Sequence, residues 1–115
     1  MINKRTKEEI ELARESALVV SRTLTLIAEK IAPGVTPLEL DEIAEENINK
    51  EGGVPGFKGY KGFPNSLCIS VNERVVHGIP TNTPLEDGDI VSIDCGVKKN
   101  GFFGDHAYTF MVGNV

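Results

Sequence analysis

Asn100-Gly101, set between two stretches of alternating apolar residues, constrains this chain more than any other pair of residues. A two-residue type I′ turn needs positive φ at both central positions, which Asn and Gly tolerate, and it locks the flanking strands into one register. Lys99 then faces Phe102, Val97 faces Gly104, Gly96 faces Asp105 and Asp94 faces Ala107. One face of the hairpin carries Val91, Ile93, Cys95 and Val97 with Phe102, Tyr108, Phe110 and Val112, the pattern of a core face. The other carries Ser92, Asp94 and Gly96 beside Asp105, Ala107 and Thr109, small residues around two acids. As diagonal neighbours, the two carboxylates should have Cβ atoms about 7 Å apart or slightly less. Like charges that close raise one another's pKa unless a cation neutralises them, and divalent ions take carboxylate oxygens readily. Spacing alone leaves two readings open: a metal site, or two ordinary solvent-facing acids on a strand.

The first half of the chain has a different period. Thr6-Lys7-Glu8-Glu9 fits a capping box, and from it Ile10, Ala13, Ala17, Val20, Leu24, Ile27 and Ile31 recur at steps of three and four. That spacing predicts a helix ended by Pro33-Gly34. A short coiled coil would share the pattern, but barely three heptads with alanines in the seam favour packing on a sheet. Thr36-Pro37-Leu38-Glu39 repeats the start signal with Pro at the first helical position. Leu40, Ile43, Ala44 and Ile48 make the second apolar stripe, and Gly52-Gly53 closes it.

Residues 51–66, EGGVPGFKGYKGFPNS, hold five glycines and two prolines and read as a long loop. Loops of that length within compact domains are functional or mobile; Phe57, Tyr60 and Phe63 argue against a plain linker. Strand-like alternation then covers Leu67 to Val71, Arg74 to His77, Ile90 to Lys98 and Phe102 to Val112. Two helices followed by antiparallel strands make an α+β fold, expected as a single domain over residues 1–115.

Composition excludes several classes. A net charge of −5 without clustered Lys or Arg argues against nucleic acid as a partner. The first apolar run, residues 17–20, is too short for a signal core or a membrane span, so a cytoplasmic protein with no membrane partner is expected. Cys68 and Cys95 form no CxxC pair, which indicates neither a disulfide scaffold nor a structural zinc site.

GFPNSLCISVNERVVHGIP at residues 62–80, followed by DGDIVSIDCGVKKNGFFGD at residues 87–105, resembles the type I, bacterial-type methionine aminopeptidases, and the resemblance extends over nearly the whole chain. Prolidase-like relatives share the Asp-to-Asp hairpin, but HGIP at residues 77–80 and the SVNE turn look like the methionine enzymes. The resemblance implies half of a pita-bread fold and a hydrolase that removes the initiator methionine from nascent peptides. It implies two divalent ions, drawn from cobalt, manganese, iron or zinc, that share an attacking hydroxide. Carried onto this chain, Asp94 becomes a ligand of one ion and Asp105 a bridging carboxylate. His77 becomes a catalytic and substrate-binding group near the scissile carbonyl, while Tyr60, Phe63 and Cys68 form an apolar methionine pocket. A two-residue turn at Asn72-Glu73 would set His77 opposite Cys68, in a register softened by the poor fit of Glu to positive φ. Lys61 stands where some members have His, and His106-Ala107 where Thr-Ser is frequent, so fine specificity is open.

The resemblance also implies one His and two Glu ligands, with a second His near substrate, from a following half absent from these 115 residues. His106 cannot stand in, because one residue past Asp105 it points to the other face of its strand. The chain alone is therefore expected to be inactive, with the missing half or a second copy of itself as its covering partner. The competing expectation is a peptide- or partner-binding module on the same scaffold.

Overall fold

The structure of the protein, a computed structural model, describes residues 6–56, 65–72 and 79–113. Helix α1 spans Lys7–Lys30 and α2 spans Pro37–Lys50. Each begins at a threonine whose hydroxyl accepts from the third amide, while Glu9 and Glu39 reach back to the cap amides. Both expected capping boxes are thus formed, and Pro37 occupies the first turn, where its missing N–H costs nothing.

Four strands follow: β1 at Val54–Pro55, β2 at Leu67–Val71, β3 at Ile90–Lys99 and β4 at Phe102–Met111. All pairings are antiparallel. Strand β4 runs along one edge of β3, while β1 and β2 share the other edge end to end. The tight turn at Asn100-Gly101 has φ of 53° and 81°, and the register is the one the turn chemistry demands, including Gly96 opposite Asp105 and Asp94 opposite Ala107.

Strand β1 is an addition to the sequence reading. Residues 51–66 were expected to be irregular throughout, yet Val54 and Pro55 pair with Lys98 and Val97. Proline is tolerated there because a strand this short at a sheet edge needs little from its amides. The strand expected at residues 74–77 lies outside the described residues.

Both helices cover the same face of the sheet. Val19, Val20, Leu24 and Ile27 of α1 and Leu40, Ala44 and Ile48 of α2 meet Leu67, Ile69, Val91, Ile93, Cys95 and Val97 in one buried cluster. The buried stripe of α1 is rotated from the one the apolar spacing suggested: Ile10 and Ala17 are exposed, whereas Ser16 and Thr23 are fully buried. Hydrogen bonds account for the difference. The Ser16 hydroxyl lies 2.8 Å from the Phe102 carbonyl and 3.3 Å from that of Lys99, and Thr23 donates to the Val19 carbonyl at 2.7 Å. A hydroxyl with partners is buried at little cost, and Ser16 thereby ties α1 to the hairpin turn. At Gly104 any side chain would press on the α1 backbone, since a Cβ there would lie 3.0 Å from the Ala17 nitrogen.

On β4 the core pattern is only partly realised. Val112, just past the strand, is buried and Phe102 and Phe110 are half-buried, but Tyr108 is 56% exposed. An open groove of about 680 Å³ lies between α1 and β4, lined by Val20, Leu24, Tyr108 and Phe110 among others. No helix among the described residues is long and apolar enough to cross a membrane.

Candidate metal centre

The face of the sheet turned away from the helices holds the acids. Side chains alternate along a strand, so the observed pairing puts Cys68 and Ser70 of β2, Ser92, Asp94 and Gly96 of β3, and Asp105, Ala107 and Thr109 of β4 on that face. Asp94 and Asp105 are diagonal neighbours across the β3–β4 ladder. Cys68 sits directly opposite Asp94 on the other side. A carboxylate on each of two strands and a thiol on the third thus share one face of the sheet with small side chains.

Asp94 is half-buried, and its Oδ1 is a buried oxygen without a hydrogen-bond partner among the described residues. Burial raises its pKa first, the Asp105 carboxylate raises it further, and His106 lowers it in part. His106 pairs with Cys95, so it faces the helix side and acts through charge rather than contact. An orphaned carboxylate oxygen beside a second carboxylate is the donor set a hard divalent ion takes, so the residues present fit a metal. They do not complete its shell: no group of three or more His, Cys, Asp and Glu suited to a metal occurs among the described residues.

Cys68 is partly exposed, and its thiol is pushed up by burial, then by Asp94 and then by Asp41. Cys95, on the helix side, is buried and pushed up to about 12, which leaves it an inert core thiol. His77, Tyr60 and Phe63 lie outside the described residues.

Two polar residues near the acids escaped the sequence reading. Asp41 is 6% exposed within the apolar face of α2 and accepts from the Leu67 amide at 2.7 Å and from Asn65 Nδ2 at 3.2 Å. Its position directly after Leu40, at the edge of the helix stripe, was the one available signal. Ser66 is wholly buried, and its hydroxyl has no partner among the described residues. Nothing in the sequence sets it apart from other loop serines.

The shift of Asp94 has a measurable sign. A carboxyl whose folded-state pKa is raised favours folding below its unfolded value, near 3.9, and that contribution is lost as pH rises through the folded value. In the presence of a chelator, Asp94→Asn is therefore expected to melt above the parent at neutral pH, with the gap closing as pH falls into the carboxylate range. Thermal unfolding across pH, with both proteins in EDTA, checks this; an Asn variant that melts below the parent at neutral pH contradicts it.

Known proteins resemble this chain along its whole length. A methionine aminopeptidase of Clostridium perfringens is 56% identical over 115 residues, and methionine aminopeptidase 1 of Bacillus subtilis is 50% identical. The chain spans about half the length of these curated relatives, 46% in each case. Among solved structures, the methionine aminopeptidase of Rickettsia prowazekii superposes with a TM-score of 0.93 at 36% identity, over all of this chain and 46% of that one. A prolidase from Pyrococcus furiosus shares the fold at a TM-score of 0.78 and 24% identity, over 96% of this chain and 31% of its own. Two helices on an antiparallel sheet, matched to about half of such structures, make the α+β half of a pita-bread fold. The pattern of metallopeptidase family M24 matches residues 11–115, and the chain belongs to that family.

Proposed function

We propose that this chain carries part of the active site of a cytoplasmic methionine aminopeptidase, which removes the initiator methionine from nascent peptides. The observation that carries the reading is the buried Oδ1 of Asp94, without a partner among the described residues and set diagonally across a hairpin from Asp105 on a face of small residues. Family membership and the names of the relatives supply the reaction class.

Asp94 would hold one divalent ion and Asp105 would bridge two, the ions being cobalt, manganese, iron or zinc. Bound ions would supply activation of water and polarisation of the peptide carbonyl. The two carboxylates would supply the oxygen donors a cation needs, and the small residues beside them would leave space for a substrate's first residue. Cys68, opposite Asp94, would line the methionine pocket with Tyr60 and Phe63, and His77 would orient the scissile carbonyl; for those last three residues the support is sequence resemblance.

Two carboxylates are too few for a catalytic site, which draws three or more protein ligands. The remaining ligands are proposed to come from the portion of the protein that corresponds to the rest of its relatives. That portion would also cover the α1–β4 groove and the outer edge of β4, which pairs only with β3 among the described residues.

Cleavage of methionyl tripeptides by the gene product at its full encoded length, with Co²⁺, Mn²⁺, Fe²⁺ or Zn²⁺ supplied, tests the reading. Release of free methionine is expected with metal and not with a chelator, whereas the 115-residue chain by itself is expected to release none. A metal-loaded, folded full-length product that cleaves no methionyl peptide overturns it, and peptide binding without metal would point to a platform instead.

A further inference from the structure

Between β1 and β2 the chain leaves β3 and returns to it beside the acids. It departs at Gly56, whose amide donates to the Gly96 carbonyl at 2.8 Å, and it rejoins at Leu67, opposite Cys95. The next residue, Cys68, is the one that faces Asp94. Where β2 begins therefore decides where the Cys68 side chain sits relative to the acids.

The start of β2 is held from outside the sheet as well as by its pairing with β3. Ser66, just ahead of β2, is fully buried with a hydroxyl that has no partner among the described residues, an arrangement that costs free energy and persists only where other bonds hold the segment. Those bonds come from α2. Asp41, almost fully buried, takes the Leu67 amide on Oδ1 at 2.7 Å and Asn65 Nδ2 on Oδ2 at 3.2 Å, so one carboxylate grips the residues on both sides of Ser66. A charge on the apolar face of a helix is tolerated only when hydrogen-bonded, and bonds to a charged acceptor are the stronger kind. Both bonds of the Asp41 carboxylate go to the start of β2 and the residue two before it.

We propose that Asp41 is a positioning residue of the acidic site: from α2 it fixes the first residue of β2 and so seats Cys68 against Asp94. It touches neither acid and acts through Asn65 and Leu67. The inference rests on the proposed aminopeptidase reading for its catalytic consequence, but the seating itself can be tested without catalysis.

The test uses Asp41→Asn and Asn65→Ala in the gene product at its full encoded length. Three quantities are measured: Mn²⁺ affinity by calorimetry, alkylation of Cys68 by iodoacetamide with and without Mn²⁺, read by mass spectrometry, and KM and kcat for a methionyl tripeptide. In the parent, Mn²⁺ at Asp94 is expected to shield Cys68. In both variants Mn²⁺ affinity should stay within about twofold, while the protection of Cys68 falls by about tenfold, a loosening of about 1.4 kcal/mol. KM should rise severalfold with kcat near the parent value. Protection equal to the parent's in Asp41→Asn overturns the proposal, as does a fall of Mn²⁺ affinity, kcat and thermal stability in step, the mark of a merely structural role. A parent that shows no aminopeptidase activity removes the functional reading instead, and the Mn²⁺ protection ratio then judges the clamp by itself.

Discussion

Asp105→Ala, made in the full-length gene product, is expected to lower kcat/KM for a methionyl tripeptide by on the order of 10³ or more and to abolish measurable binding of a second divalent ion. A carboxylate shared between two ions loses its hold on both when removed, and metal activation contributes several kcal/mol of transition-state stabilisation. Each 1.36 kcal/mol is a factor of about ten in rate. On the proposed assignment Asp94→Ala would remove a ligand of one ion only, so one ion is expected to remain, bound more weakly, with activity still strongly reduced. Folding should survive both changes. Asp105 is exposed, and Asp94 brings a buried oxygen with no partner among the described residues, whose removal relieves a desolvation cost. Calorimetric metal titration beside steady-state kinetics separates the outcomes: two ions bound at parental affinity in Asp105→Ala would end the two-carboxylate reading.

The hairpin that aligns these acids was fully legible because the information is local. Asn and Gly at positions 100 and 101 accept positive φ, and once the turn is set every pairing from Lys99–Phe102 to Asp94–Ala107 follows by counting. The two capping boxes were readable for the same reason, since Thr and Glu three residues apart satisfy amides within a single turn.

What escaped the sequence depends on contacts far along the chain. Ser16 is buried because carbonyls more than eighty residues later take its hydroxyl, and an apolar count on α1 could only mark it as polar. Asp41 was hidden in the same way: its partners Asn65 and Leu67 lie at the end of, and just past, a stretch whose glycines and prolines say where regular structure stops but not what holds the chain. Strand β1 went unseen because two residues are too few for any period to show. The acids themselves were legible as a pair, yet alternation alone could not separate a metal site from two solvated acids; the Asp94 oxygen left without a partner among the described residues is what supports the proposed metal site.

The cross-strand pair Ile93 and Tyr108 shows how far the same alternation can mislead about energy, and it yields the largest expected effect on stability. Both residues lie on the helix-facing side and pair directly, so a period-two reading gives them equal standing in the core. Ile93 is 1% exposed under α1 and α2, whereas Tyr108 is 56% exposed on the edge strand beside the open α1–β4 groove. Ile93→Ala removes buried methyl groups from the central strand and leaves a cavity its neighbours cannot fill, an expected cost of about 2–5 kcal/mol. Tyr108→Ala gives up mainly the ring contact with Phe110, whose centroid lies 4.9 Å away, and is expected to cost about 1 kcal/mol. Urea unfolding of the 115-residue chain measures both, with the midpoint falling and the slope unchanged if only stability is altered. In the full-length protein the ordering should narrow, because a segment seated in the groove would bury Tyr108 and raise the cost of its removal. Equal losses at the two positions in the isolated chain would mean that Tyr108 is already covered there, which the open groove does not allow.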